Sequence, residues 1–240
     1  TASLYSMSTQ AAVLGVFTAM SIASGQYFLA QINSELKKIN QKLDEIIKFL
    51  YGEKRAELLS EISFIKETLD NYPSIMKHDV HRLATVGSIQ EAKKVAIKDI
   101  EFYLKDLEKE IERGKDKKGY QALADLMDRK IHDARENLDL SIELYLMSSI
   151  MEIYYAQDFE DDYINNIAVG IKDYIKSIND KMLVAYGRLA RDLDNVRPNR
   201  QSEKALRERR KQIDDCQKEL DGRYRSICER VSAVLESPAQ

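Results

Sequence analysis

The stretch LAQINSELKKINQKLDEIIKFL, Leu29 to Leu50, carries the reading of the fold. Leu29, Ile32, Leu36, Ile39, Leu43, Ile46 and Leu50 stand three and four residues apart in strict alternation. That is the period of a helix burying one seam against another helix. With Leu29 as position a, Leu fills a and Ile fills d, a choice that in parallel coiled coils leans toward four strands rather than two. Lys37, Lys38, Lys42, Asp44, Glu45 and Lys48 supply the solvated flank. The same seam serves an intramolecular helix hairpin or bundle equally well, and that is the simpler reading.

The rest of the 240-residue chain permits little besides helix. Its 9 glycines and 3 prolines make about one residue in twenty, against about 12% in average usage. So few turn residues cannot supply the tight reversals of a sandwich or barrel. Hydrophobic residues at 44% suffice for a core and exceed what a disordered chain carries.

Downstream of Gly52 the pattern resumes at Leu58, Ile62, Ile65, Leu69 and Tyr72, until Pro73 stops or kinks the helix. A short segment from Ser74 to Val86 is expected to end at Gly87, with Ser88 to Glu91 as a capping box for the next helix. Ile97, Ile100, Leu104, Leu107 and Ile111 then repeat the spacing up to Gly114, and Lys115 to Gly119 reads as a reversing turn. From Tyr120 a further helix carries Leu123, Met127, Ile131, Ala134, Leu138, Ile142 and Tyr145. Its second half, Leu138 to Ala156, is apolar on nearly all sides and belongs at the bundle centre. After a break at Asp158 to Asp162 come a helix ending before Pro198 and a last one from about Ser202 to Leu235. The expected fold is all-α: one elongated bundle over 1–240, with about five long antiparallel helices and coiled-coil-like seams. Residues 1–34 lead into the first long helix, and 35–240 form amphipathic helices.

The first 34 residues depart from the average. Thr1 to Ser34 contains no Asp, Glu, Lys, Arg or His, in a chain 32% charged. Chance alone gives such a run about two times in a million on that composition. Ala11 to Ala30 has about the length of a bilayer-crossing helix. Thr18, Ser21, Ser24, Gly25 and Gln26 dilute it below a permanent anchor, and no positive n-region marks a secretory signal. Ala11, Gly15, Ala19 and Ala23 form a small-residue stripe that lets helix backbones approach closely. Leu14, Val16, Phe17, Met20 and Ile22 are the candidates for entering lipid. A helix apolar all round needs either a surrounding core or a membrane.

The search for chemistry is mostly negative. GxxxxGK[ST], GxGxxG, HExxH and GxSxG are all missing, so no catalytic residue and no cofactor is expected. His78 and His81 lie three apart and lack a third zinc ligand, and no Glu-x-x-His pair suggests a di-iron bundle. No metal is expected. Cys216 and Cys228 sit about 18 Å apart along one helix, beyond disulfide reach. Cys216 shares an inward face with Ile213 and Leu220. Two such thiols suit a reduced intracellular protein or one exported without disulfides.

The formal net charge of −3 gives no general bias toward polyanions. Arg197 to Arg230 nevertheless holds 11 Lys and Arg against 7 Asp and Glu. Its densest part, Lys204 to Lys211, has the charge to meet anionic headgroups or nucleic acid. Interleaved glutamates with inward Leu206 and Ile213 read instead as a salt-laced amphipathic helix. Nucleic acid is not an expected partner, because no base-reading element accompanies the charges.

A long helical bundle with one uncharged, small-residue-rich segment is similar in organisation to α-helical pore-forming toxins of the cytolysin A type. There a hydrophobic element is packed away in the soluble form and inserts after a rearrangement. The likeness implies conditional binding of membrane lipid, through residues 4–32, and self-association. The other reading is a soluble oligomeric scaffold or partner-binding module whose uncharged segment is simply a central helix.

The seam is open to a direct check. If Leu29 to Leu50 joins copies of the chain, Ile39→Asp dissociates the oligomer with helical content largely intact, because a buried unpaired charge costs several kcal/mol. An intramolecular seam makes the same change lower the melting temperature of a monomer. Light scattering of the wild type comes first, and a monomer at tens of micromolar eliminates the intermolecular version.

Overall fold

The computed structural model describes residues 56–114, 132–158, 161–196 and 203–235. Of these, 94% are helical and none lies in a strand, so the described protein is all-α and forms a helical bundle. The Leu29 to Leu50 seam, the uncharged segment, the turn at Lys115 to Gly119, and Leu123, Met127 and Ile131 lie outside the described residues.

Helix α1, Ala56–Asp70, buries Leu58, Ile62, Ile65 and Leu69, the four-three-four stripe of an amphipathic helix. Asn71 closes it: both its backbone N–H and its Nδ2 donate to the Glu67 carbonyl, at 3.0 and 2.9 Å. Pro73 then sits in the first turn of the one-turn helix α2, Tyr72–Ile75. The missing N–H of proline costs nothing there, so the sequence break falls where expected.

Helix α3 runs unbroken from Asp79 to Gly114, through Gly87. The expected stop at Gly87 and capping box at Ser88 are therefore absent. Ser88 Oγ donates back to the Ala84 carbonyl at 3.3 Å, as a hydroxyl inside a helix does. Interior glycine costs a helix only about 1 kcal/mol, whereas a break leaves up to four N–H and four C=O groups without helical partners. Full burial of Ile89 two residues later holds this part of α3 in place. The inward line is Ile89, Ala92, Ala96, Ile100, Leu104, Leu107 and Ile111. Ala96 occupies the place expected for Ile97, which is half-buried. Gaps of three and four in that order follow the 3.6-residue period of a straight helix more closely than a strict heptad does.

Helix α4, His132–Ala156, is the most enclosed: all nine residues from Ser141 to Ser149 are buried. Helices α5, Asp161–Asp194, and α6, Glu203–Leu235, end and begin close to the expected positions. Along α5, Ala168, Ile171, Ile175, Ile178, Met182, Tyr186, Leu189 and Leu193 are buried. Only Ile213, Leu220 and Ile227, seven apart, are buried on α6 among its described side chains, while Leu206 and Tyr224 are half-buried.

The described residues divide into two compact units. One takes those up to Lys98, those between Leu140 and Ile171, and those from Glu229 onward; the other takes those between Asp99 and Asp139 and between Lys172 and Cys228.

Gly87, Gly170 and Gly222 are exposed in helix interiors, and open space lies where a Cβ would stand. Gly87→Ala, Gly170→Ala and Gly222→Ala should each stabilise the fold by about 0.5–1 kcal/mol. Urea midpoints measure this, and a lowered midpoint at any of the three contradicts an uncrowded helical backbone there.

Candidate functional site

The residues singled out for membrane entry (Leu14, Val16, Phe17, Met20, Ile22), close packing (Ala11, Gly15, Ala19, Ala23) and the seam (Leu29, Ile32, Leu36, Ile39, Leu43, Ile46, Leu50) lie outside the described residues. Inside them, three charged or aromatic constellations are built.

Around the end of α4 in the first unit, the helix closes with Gln157 in the left-handed region at φ 56, its N–H bonded to the Ile153 carbonyl at 3.0 Å. This is the place usually given to glycine. Arg82 of α3 covers the carbonyls left over there: Nη1 donates to Tyr155 O at 2.8 Å and to Ala156 O at 2.9 Å. Asp79 Oδ1 holds the same guanidinium through Nη2 at 3.2 Å. A cation at a helix C-terminus also meets the negative end of its dipole. Tyr155 is 1% exposed; its hydroxyl donates to the Thr68 carbonyl at 2.8 Å, and its ring meets Tyr72 edge-on at 5.3 Å. Burial, with Tyr72 nearby, pushes the Tyr154 hydroxyl up to about 12. Lys93 Nζ and Gln90 Nε2 both donate to Glu152, at 2.9 and 2.8 Å. No local pattern points to Arg82 as a cap, because its partners lie more than 70 residues away.

The second unit holds a buried ion network. Arg135 Nη2 meets Glu219 Oε2 at 2.9 Å, Nη1 donates to Cys216 Sγ at 3.1 Å, and Nε stands 4.0 Å from Asp139 Oδ2. Asp139 Oδ1 also accepts from Arg223 Nη1. The side chains of Arg135, Asp139 and Arg223 are 17%, 12% and 10% exposed, so they interact in a medium that screens poorly. Two guanidinium groups balance two carboxylates, which is the condition for such burial to be tolerated. Burial works against the Arg135 charge, but Tyr186, Asp139, Glu219 and Cys216 outweigh it and hold the group protonated more firmly than usual. Burial raises Tyr186 above the ordinary tyrosine range, with Arg135 opposing. Cys216 is therefore half-buried with its sulfur on a guanidinium, where an apolar inward face was expected. The network ties α4 to α6; its groups are engaged with one another.

The third constellation is the basic start of α6. Leu193 and Asp194 at the end of α5 and Leu206, Arg207, Arg210, Lys211 and Asp214 of α6 line a cleft of about 320 Å³. Arg210 is held from two sides, Nε 3.4 Å from Asp194 Oδ1 and Nη1 3.0 Å from Asp214 Oδ1. Arg207 pairs with Glu203 one turn earlier at 2.7 Å. The salt-laced reading of this stretch is thus realised, and the cleft beside it has no sequence signature.

His78 and His81 stack edge-on with ring centroids 5.7 Å apart, and both are exposed. Among the described residues no group of three His, Cys, Asp or Glu is placed to hold a metal ion, and no helix is long and apolar enough to cross a membrane.

These features define a helical-bundle protein with a structural ion network and a basic cleft. Compared with known protein families, curated proteins and solved structures, the chain matches none.

Arg223→Met leaves Asp139 with only its more distant Arg135 partner and should cost about 2–3 kcal/mol. Arg207, with its side chain 80% exposed, is the control: Arg207→Ala should change stability by less than about 0.5 kcal/mol. Equal effects in chemical unfolding would remove the network as an anchor of the fold.

Proposed function

We propose that this chain is a non-enzymatic helical protein that interacts with membranes, organised like a pore-forming toxin, with residues 1–34 as the inserting element. The observation that carries the reading is the run of 34 uncharged residues in a chain 32% charged overall. Since no described helix is apolar enough to span a bilayer, the reading assigns entry to Leu14, Val16, Phe17, Met20 and Ile22. In lipid the Ala11, Gly15, Ala19 and Ala23 stripe would bring helices of several copies together.

The proposed frame is a bundle of about five long antiparallel helices with coiled-coil-like seams. Pairings inside each unit support it: Lys98, late in its stretch of α3, reaches Glu57 at the start of α1, and Lys93 reaches Glu152 near the end of α4. Likewise Asp194 at the end of α5 meets Arg210 early in α6. The second reading, a soluble oligomeric coiled-coil scaffold or partner-binding module, is favoured by the unbroken Leu29 to Leu50 seam.

Liposome leakage separates the two. Phe17→Lys opposes entry to the bilayer centre by about 3 kcal/mol, enough to shift partitioning over about a hundredfold, and Gly15→Leu blocks close helix approach. Each variant must first melt like the wild type. Dye-loaded liposomes should leak with the wild type and much less with either variant. Wild-type protein that neither binds nor permeabilises neutral or anionic vesicles between pH 4 and 8 would hand the function to the scaffold reading.

A further inference from the structure

The cleft between the end of α5 and the start of α6 is built from two kinds of wall. Leu193 is buried and Leu206 half-buried, giving an apolar floor, while Arg207, Arg210 and Lys211 surround it. From the geometry we infer that this cleft binds a phosphate ester, with the phosphate on Arg210 and Lys211 and the organic part against Leu193 and Leu206.

Arg210 is central because its two carboxylate partners position it without exhausting it. Guanidinium offers five N–H donors in a fixed fork. Asp194 engages Nε and Asp214 engages Nη1, so both N–H bonds of Nη2 have no partner among the described residues. A side chain held on two sides loses little further freedom when an anion arrives. Lys211 lines the same cleft as Arg210; it is exposed and has no ion-pair partner among the described residues. Arg207 is bound to Glu203 through Nη2, an exposed pair that leaves Nε and Nη1 without partners among the described residues. Asp194 and Asp214 also line the cleft, so its lining carries three cations against two carboxylates. Over Lys204 to Lys211 the sequence adds Lys204 and Arg209 against a single Glu208, so the surrounding surface is cationic.

Size argues for an ester over the bare ion. About 320 Å³ is several times the volume a bare phosphate needs, and two leucines offer nothing to a hydrated ion. A glycerol or similar short carbon unit satisfies both. A soluble phosphate ester and a phospholipid headgroup present that same chemistry, and the test distinguishes them. The cleft stands apart from the reading of residues 1–34 and does not need it.

Titrate the full-length protein with sn-glycerol 3-phosphate, inorganic phosphate and glycerol by calorimetry. In parallel, float it with phosphatidylcholine vesicles prepared with and without phosphatidylglycerol. The variants are Arg210→Gln and Lys211→Gln, with Lys218→Gln as a charge control on the same helix, its Nζ 3.8 Å from Asp215. Lys211→Gln touches no ion pair among the described residues, so it tests the cleft even if Arg210→Gln disturbs the fold. Glycerol phosphate should bind more tightly than phosphate, and glycerol not at all. Arg210→Gln or Lys211→Gln should weaken it by about tenfold, the scale of one charge-assisted contact, with Lys218→Gln unchanged. Flotation that needs phosphatidylglycerol, with no soluble ester bound, and that falls in the same two variants assigns the site to a lipid headgroup. The proposal is overturned if no ester or anionic vesicle binds, or if binding is equal in the wild type and both cleft variants. Vesicle binding that survives both cleft variants but is lost in Phe17→Lys leaves the membrane reading standing while the cleft fails. Ester binding without any vesicle binding does the reverse.

Discussion

The enclosure of α4 is the constraint on which the first unit depends. Nine consecutive buried residues from Ser141 to Ser149 leave no side of that helix for water. A helix in that position must find apolar neighbours in every direction, and the buried polar groups of that stretch, Ser148 Oγ excepted, are answered inside the protein among the described residues. Ser149 does this by donating to the Tyr145 carbonyl at 2.8 Å, and Glu152, just past the enclosed stretch, is met by Lys93 and Gln90. At its end, Arg82 supplies donors to carbonyls that no continuing helix can reach. Tyr155 adds a hydroxyl bond to the backbone of α1. Burial thus demands the polar contacts, and those contacts in turn select which faces of α1 and α3 can lie against α4.

In the second unit charge does the corresponding work. Arg135, Asp139, Arg223 and Glu219 form a charge-balanced set, whose value lies in specifying one pairing of α4 with α6. A hydrophobic contact along α6 alone would specify less, since among its described side chains the buried stripe is Ile213, Leu220 and Ile227. The same helix carries a second group of cations nearer its start, and there the balance is incomplete. Among the described residues Arg210 is clamped by carboxylates while its Nη2 donors have no partner, and Lys211 has no ion pair. The contrast between a saturated buried network and an unsaturated exposed one is what separates a structural role from a binding role on one helix.

The membrane proposal and the cleft draw on different physics. An uncharged segment enters lipid because no ionised group must be dehydrated. A cleft lined by held cations works in water, at an interface or in solution, and is weakened by salt. They meet in one protein if the cleft takes headgroups, and they are separable if it does not.

Much of the architecture was determined by the sequence alone. Scarcity of glycine and proline restricted the described residues to helix, and the apolar spacings located α1, α5, α6 and the described part of α4, with breaks near Pro73, Asp158 and Pro198. These are consequences of local periodicity and backbone stereochemistry, which act over a few residues. Gly87 shows the limit of such reasoning: its helix penalty is about 1 kcal/mol, small enough for packing of Ile89 and the residues beyond to override. The choice of Ala96 over Ile97 on the inward face depends in the same way on what lies opposite. Arg82 on the end of α4, Arg135 on Cys216 and Glu219, and Arg210 between Asp194 and Asp214 were decided only by the tertiary structure. Their partners are distant in the chain or on another helix, and a charge read from sequence carries no information about which opposite charge will be brought within 3 to 4 Å of it.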